Sequence, residues 1–256
     1  MDSMQSAERI SRERSDNFVF RRSQLAYIEA ARMVHGDVLE VGTGTGYGIE
    51  IIAPHVRSLT TVDKHRFDGE ALSLPNVRFV RTVVPRLPFA DRSFDFVVSF
   101  QVIEHIRRDG DFVREVHRVL RPGGAFVVTT PNAPMSLTRN PWHVREYDAD
   151  ALAALLGGLF DRVDRYGVSG NGKVMEYYAK NRLAVERIAR FDPLDLQHRL
   201  PRWMLRLPYD IANRLNRRRM LRDNTALTDS ITVRDYSFTD VAADSFDLFY
   251  VAHKDR

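Results

Sequence analysis

Cysteine is absent from the chain. That one absence removes disulfide frameworks, thiolate metal sites, iron–sulfur clusters and cysteine nucleophiles together. Long hydrophobic runs are missing as well: no stretch approaches the roughly 18 apolar residues that a membrane-spanning helix needs. Met1 to Asp16 is polar and lacks the apolar segment of a secretory signal, so these residues are expected to fray and the protein to be cytoplasmic. Internal repeats and low-complexity tracts are lacking too. What is present is globular in character: 44% of the 256 residues are hydrophobic, too many for a disordered chain and enough to bury a core. The net charge is only +4, but it is unevenly placed. Between Arg182 and Arg222 there are 11 Arg and no Lys against 4 acids, a local +7, which leaves about −3 for everything else.

Short apolar segments alternate with helical ones. Residues 37–41, 58–62, 77–80, 94–100 and 125–130 read as strands, nearly continuous in apolar character, as expected of a parallel sheet covered on both faces. Leu25, Ile28, Ala31 and Met33 mark an amphipathic helix over 23–34, stopped by His35-Gly36. Phe112, Val113, Val116, Val119 and Leu120 share the face of a second helix over 111–120, ended by Pro122-Gly123-Gly124. Asp148 is placed to cap a third, running to Phe160. A strand over 162–168 follows, and residues 245–252 form a last one.

The glycines carry the first functional signal. Glu40-Val-Gly42-Thr-Gly44-Thr-Gly46-Tyr-Gly48 lies directly after the first strand and before a helix, where glycine permits a tight turn and close approach of a ligand. A dinucleotide fingerprint starting at Gly42 requires glycine at 47, and Tyr47 stands there, so the nicotinamide fingerprint fails on spacing and an oxidoreductase is disfavoured. The loop, with Asp63 at the end of the second strand, Leu87-Pro88-Phe89, Ser93 to Val98, and Leu120-Arg121-Pro122-Gly123-Gly124, resembles the class I S-adenosylmethionine-dependent methyltransferases from about residue 35 to 170 and again at the final strand.

That resemblance implies a doubly wound α/β fold: a mostly parallel seven-stranded Rossmann-like sheet with its last strand antiparallel. It implies S-adenosylmethionine as cofactor, held by Glu40, Gly42, Thr43, Gly44, Gly46 and Tyr47 of the loop, Asp63 and Lys64 after the second strand, Val83 and Val84, and Phe100 and Gln101 after the fourth. A carboxylate at Asp63 can accept two hydrogen bonds from a ribose diol. The family often carries an acid at the position of Val83, so adenine here would rest on backbone groups and the apolar surface of Val83, Val84 and Leu87.

Methyl transfer is an in-line displacement needing an aligned nucleophile and often a base. Gln101-Val-Ile-Glu104-His105 lies at the carboxyl end of the fourth strand, where open α/β sheets place ligands, and His143 follows the fifth. Glu-x-x-Glu-His with a later His resembles the metal site of ubiquinone-pathway O-methyltransferases and small-RNA 2′-O-methyltransferases. Gln101 replaces the first Glu, leaving Glu104, His105 and His143 for a divalent ion such as Mg²⁺. The other reading gives these residues metal-free polar roles, with His105 or His143 as general base. The expected reaction is methylation of a small-molecule acceptor, at oxygen; the departures at Gln101 and Val83 also keep open a cofactor-binding protein without catalysis.

The domain boundaries follow. Residues 1–22 read as an extension, 23–170 with 230–256 as the methyltransferase domain, and 171–229 as an Arg-rich helical insertion before the last strand. Pro208 is expected to divide that insertion into shorter helices. Three uses fit it: a lid over the substrate, a basic surface at 182–222 for anionic membrane or lipid-linked substrate, or, least supported because aromatic residues are not interleaved, nucleic acid.

Overall fold

The computed structural model describes residues 12–190 and 196–255, so the frayed segment expected at 1–16 lies outside the described residues as far as Ser11. Eight strands form one sheet: β1 (Asp37–Val41), β2 (Ser58–Asp63), β3 (Val77–Arg81), β4 (Phe94–Phe100), β5 (Leu120–Pro131), β6 (Arg162–Gly170), β7 (Tyr236–Asp240) and β8 (Asp247–His253). Their order is β3-β2-β1-β4-β5-β8-β6-β7. β1 to β6 run in one direction, and β7 and β8 oppose them. The sheet therefore has one strand more than the seven expected. The addition is β7, a short edge strand paired only to β6, whose half-exposed Tyr-Ser-Phe-Thr-Asp composition carries little apolar signal.

The helices are α1 (Asn17–Met33), α2 (Ile49–Ile52), α3 (Asp109–Val119), α4 (Ala149–Gly157), α5 (Gly172–Ala189), α6 (Leu196–Arg199), α7 (Arg202–Asp223) and α8 (Thr225–Ser230). Successive side chains of a strand point to opposite faces. On β4, Val97 accordingly enters one core layer with Phe112, Val116 and Leu156 of α3 and α4, while Val98 enters the other with Tyr27, Ala30 and Ile49 of α1 and α2. Asp148 caps α4 as read, its Oδ1 accepting from the Ala151 N–H at 2.8 Å. The chain leaves β1 toward β2 in one direction and continues from β4 in the other. The crevice at the carboxyl ends of β1 and β4 is thus the topological switch point, where this architecture binds ligands.

Two expectations about the flanking helices need correction. Helix α1 begins at Asn17 rather than Ser23, and Phe18 and Phe20, within the expected extension, are buried. Phe18 stacks on Tyr177 of α5 with centroids 4.7 Å apart, inside a third cluster that joins α1 to α5, α7 and β7. Pro208 does not divide the insertion, because α7 continues through it. Proline removes one backbone donor and crowds the preceding turn, but the helix is anchored on both sides of that fault by one residue. The Arg206 guanidinium lies 4.4 Å from the Trp142 ring centroid, and the Trp142 Nε1–H donates to Asp210 at 2.9 Å.

Candidate functional site

The chain turns at the carboxyl end of β1 through three glycines with left-handed backbone: Gly42 (φ 102°), Gly44 (φ 56°) and Gly46 (φ 79°). Each has its own reason to be glycine. A Cβ on Gly42 would sit 2.4 Å from Val102, and one on Gly46 would sit 2.1 Å from the Phe67 ring. A Cβ on Gly44 would meet nothing within 4 Å, because it would project into the open crevice. The Gly44 N–H donates to Asp63 Oδ2 at 3.1 Å and the His65 N–H to Asp63 Oδ1 at 2.8 Å, so two backbone donors hold the carboxylate at the end of β2. Parallel pairing of β1 with β2 brings this about: Val41 pairs with Val62, and the residues that follow meet above the sheet edge.

A cavity of about 450 Å³ occupies the crevice. Of the expected cofactor residues, Gly42, Thr43, Gly44, Tyr47, Asp63, Lys64, Val83, Val84, Phe100 and Gln101 all line it. Val83 is 70% exposed and forms an open rim with Val84, whereas Leu87, expected to join them against adenine, is buried in the core and does not line this cavity. Gln101 has φ 57°, a left-handed conformation that costs a non-glycine residue about 1 kcal/mol. It turns the chain out of β4 so that the residues after it border the crevice.

Two expected residues stand outside. Gly46 accommodates Phe67 rather than the cavity. Glu40 is 2% exposed and lies behind the wall, accepting from Tyr27 OH at 2.8 Å and Thr61 Oγ1 at 2.5 Å. Burial pushes its carboxyl up to about 7, with the Thr61 and Tyr27 bonds offsetting only part of that cost. Glu40 is thus a brace for the loop.

Glu104, His105 and His143 do converge, with one potential ligand atom from each lying within 4.8 Å of the others. His105 lines the main cavity; its Nδ1 lies 3.0 Å from the Trp142 carbonyl and its Nε2 3.9 Å from Glu104 Oε1. Only a protonated nitrogen can bond a carbonyl, so in the neutral ring Nε2 is the basic nitrogen. His143, expected at the same centre, instead lines a second cavity of about 440 Å³ with Arg139, Arg145 and Arg202. The two imidazole centroids are 5.0 Å apart, edge to face. His143 Nδ1 lies 3.0 Å from Glu146 Oε1 and its Nε2 lies 2.8 Å from the Asn140 amide nitrogen. Burial would raise the Glu146 carboxyl, but the bonds from His143 and Ser136 outweigh it and hold it below its ordinary value. With both ring nitrogens so engaged, His143 has no lone pair to give an ion. The donor set does not fit a divalent metal.

Residues 39–128 match a family model described as a methyltransferase domain. A protein of Mycolicibacterium smegmatis named "probable S-adenosylmethionine-dependent methyltransferase" is 38% identical over 178 residues, which are 65% of this chain and 68% of that protein. This chain belongs to the S-adenosylmethionine-dependent methyltransferases. A Mycobacterium tuberculosis relative of the same description, Rv3030, is 42% identical over 152 residues, 55% of this chain and 54% of its own length, so the chain spans about half of it. Among solved structures, a SAM-dependent methyltransferase from Thermotoga maritima superposes with a TM-score of 0.56 at 11% identity over 93% of this chain and 91% of that one, a likeness of fold alone.

The methyltransferase cavity has a wall that the sequence reading missed. Ser23 and Tyr27 of α1 line it, and Ser23 Oγ hydrogen-bonds the Tyr47 hydroxyl. Helix α1 thereby closes over the glycine loop, and the periodicity of its apolar residues was its only trace in the sequence. Arg22 of the same helix pairs with Asp247 at 2.7 Å; burial pushes the Asp247 carboxyl up to about 6, with Arg22 working against that shift.

Two outcomes follow for this site. Gly44→Ala should weaken binding of S-adenosylhomocysteine at least about tenfold by calorimetry with a small change in Tm, whereas Gly46→Ala should lower Tm first; equal effects of the two on binding would contradict the assignment. Because the folded Glu40 carboxyl is raised above its ordinary 4.5, its contribution to stability is complete below about 4.5 and is lost as pH climbs to about 7. Glu40→Gln keeps an acceptor for Tyr27 but cannot ionise, so its Tm should gain on the parent's progressively between about pH 5 and 8. A pH-independent difference would be inconsistent with a buried, ionising Glu40.

Proposed function

We propose that this methyltransferase transfers a methyl group from S-adenosylmethionine to an oxygen of a small-molecule acceptor, without a metal, using His105 as general base. The observation that carries the reading is that His105 lines the same cavity as Gly44 and Asp63 while its Nδ1 is committed to the Trp142 carbonyl. In this reading Asp63, its carboxylate already fixed by two backbone donors, accepts from the ribose hydroxyls; Val83, Val84 and Phe100 pack the apolar portions; and Gly42, Thr43 and Gly44 leave room for the ligand beside bare backbone.

The bound cofactor supplies an activated methyl group on a cationic sulfur. An acceptor hydroxyl is a weak nucleophile until its proton leaves, and oxygen therefore benefits most from a base in this position. His105 Nε2 would take the hydroxyl proton as the acceptor oxygen receives the methyl group. The imidazolium that results faces the Glu104 carboxylate 3.9 Å away, which is buried and also accepts from Thr130 Oγ1 at 3.1 Å. Trp142 orients the ring, Glu104 offsets the charge it gains, and His143 supports His105 from behind as a positioning residue.

His105→Ala should lower kcat by about 10²–10⁴-fold with the cofactor Kd nearly unchanged, and added imidazole should restore part of the loss. His143→Ala should reduce kcat less, and exhaustive chelation should leave turnover within about twofold. A chelator-sensitive activity restored by Mg²⁺, or full turnover in His105→Ala, would overturn the reading.

A further inference from the structure

Helix α7 is amphipathic in an unusual sense, since it has two apolar sides. One side buries Asn216 and carries Met220 into the third core cluster. The opposite side carries Trp203, Leu207, Ile211 and Leu215 at four-residue intervals, with Met204 beside them, and every one is exposed: Trp203 by 72%, Leu207 by 56% and Leu215 by 60%. Isolated exposed hydrophobics are ordinary, but five on one stripe of one helix are not. Beyond Leu215 the same stripe continues as Arg218 and Arg222, and the helix holds seven arginines against two acids, Asp210 and Asp223. Among the described residues nothing covers this face.

We infer that the outer face of α7 is a docking surface for an anionic lipid bilayer. Each half of the stripe has a counterpart there: aliphatic side chains and the Trp203 ring enter the boundary between headgroups and acyl chains, while the arginines meet anionic phosphates. Charge favours this occupant over a second copy of the chain. Parallel apposition of two such helices sets arginine against arginine, and antiparallel apposition sets the arginines of one against the aliphatic half of the other. Nucleic acid would use the arginines and leave the aliphatic half idle. Docking in this way also brings the bilayer to the acceptor side of the enzyme. Arg206 and Asp210 of α7 hold Trp142, whose carbonyl orients His105, and Arg202 lines the cavity beside His143.

The full chain is mixed with vesicles of phosphatidylcholine containing phosphatidylglycerol and with vesicles of phosphatidylcholine alone, and binding is read by co-sedimentation and by tryptophan emission. The inference expects at least about tenfold tighter binding to the anionic vesicles, a blue shift that Trp203→Phe removes, and weakening by high salt. Leu207→Glu combined with Ile211→Glu should cost binding at least about tenfold, as should Arg218→Glu combined with Arg222→Glu, while melting stays cooperative at the parent's temperature. Failure to bind anionic vesicles, or unchanged binding in both double variants, would overturn it. So would a dimer detected by light scattering that Leu207→Glu with Ile211→Glu dissociates, or solvent protection of the stripe without vesicles, which would assign the face to the chain's own residues 1–11 or 191–195. Cofactor binding and turnover play no part in these readouts, so this inference can fail while the proposed chemistry stands.

Discussion

The site depends on one pairing of strands. Because β1 and β2 run parallel in register, with Glu40 opposite Thr61 and Val41 opposite Val62, the glycine loop and Asp63 emerge side by side. The loop is secured from both directions. Above the sheet edge the Gly44 N–H reaches the Asp63 carboxylate, and below it Glu40 gathers hydroxyl protons from Tyr27 and Thr61, with Thr43 bonded to Thr61 at 2.6 Å. A slip of one residue between the strands would leave Glu40 and Thr61 on opposite faces and break the bond between them. The arrangement resembles pre-organisation as it is understood for binding sites generally: donors and acceptors are fixed by backbone before any ligand arrives.

Burial of Glu40 is the cost of that rigidity. A carboxyl raised to about 7 is a poor structural choice on its own, yet its bonds to α1 and β2 tie together elements distant in sequence around the ligand loop. Asp247 repeats the theme, buried and paired with Arg22 of the same helix. Helix α1 thus contributes Ser23 and Tyr27 to the cavity wall and Arg22 to the buried pair with Asp247, although it precedes every strand. The far wall is braced similarly by Trp142, which holds His105 through its carbonyl and α7 through its ring.

The parts that could be read in the sequence are those governed by local rules. Strands β1 and β4 show as apolar runs with the ends observed, the cap of α4 shows as Asp148, and the glycine spacing separates this loop from a dinucleotide site at Tyr47. What could not be read depends on contacts between distant segments. Nothing near Pro208 indicates that Trp142, 66 positions away, steadies the helix through it. His143 follows β5 as a base or ligand would, but the side chains of Asn140 and Glu146 occupy its ring and turn it to the neighbouring cavity. Gln101 looked like a lost acidic ligand, and its left-handed backbone has no sequence signature at all. Lid, membrane and nucleic-acid uses of the insertion ask for different exposed faces of α7, and the sequence does not show which of its faces is buried.

Titration calorimetry of S-adenosylhomocysteine into the parent protein and into Asp63→Asn tests the central claim most directly. Saturable one-site binding to the parent is expected, with a loss of at least about tenfold in affinity in the variant, because an amide offers the diol one acceptor oxygen where the carboxylate offers two. No heat of binding in the parent, or equal affinity in the two proteins, would contradict it.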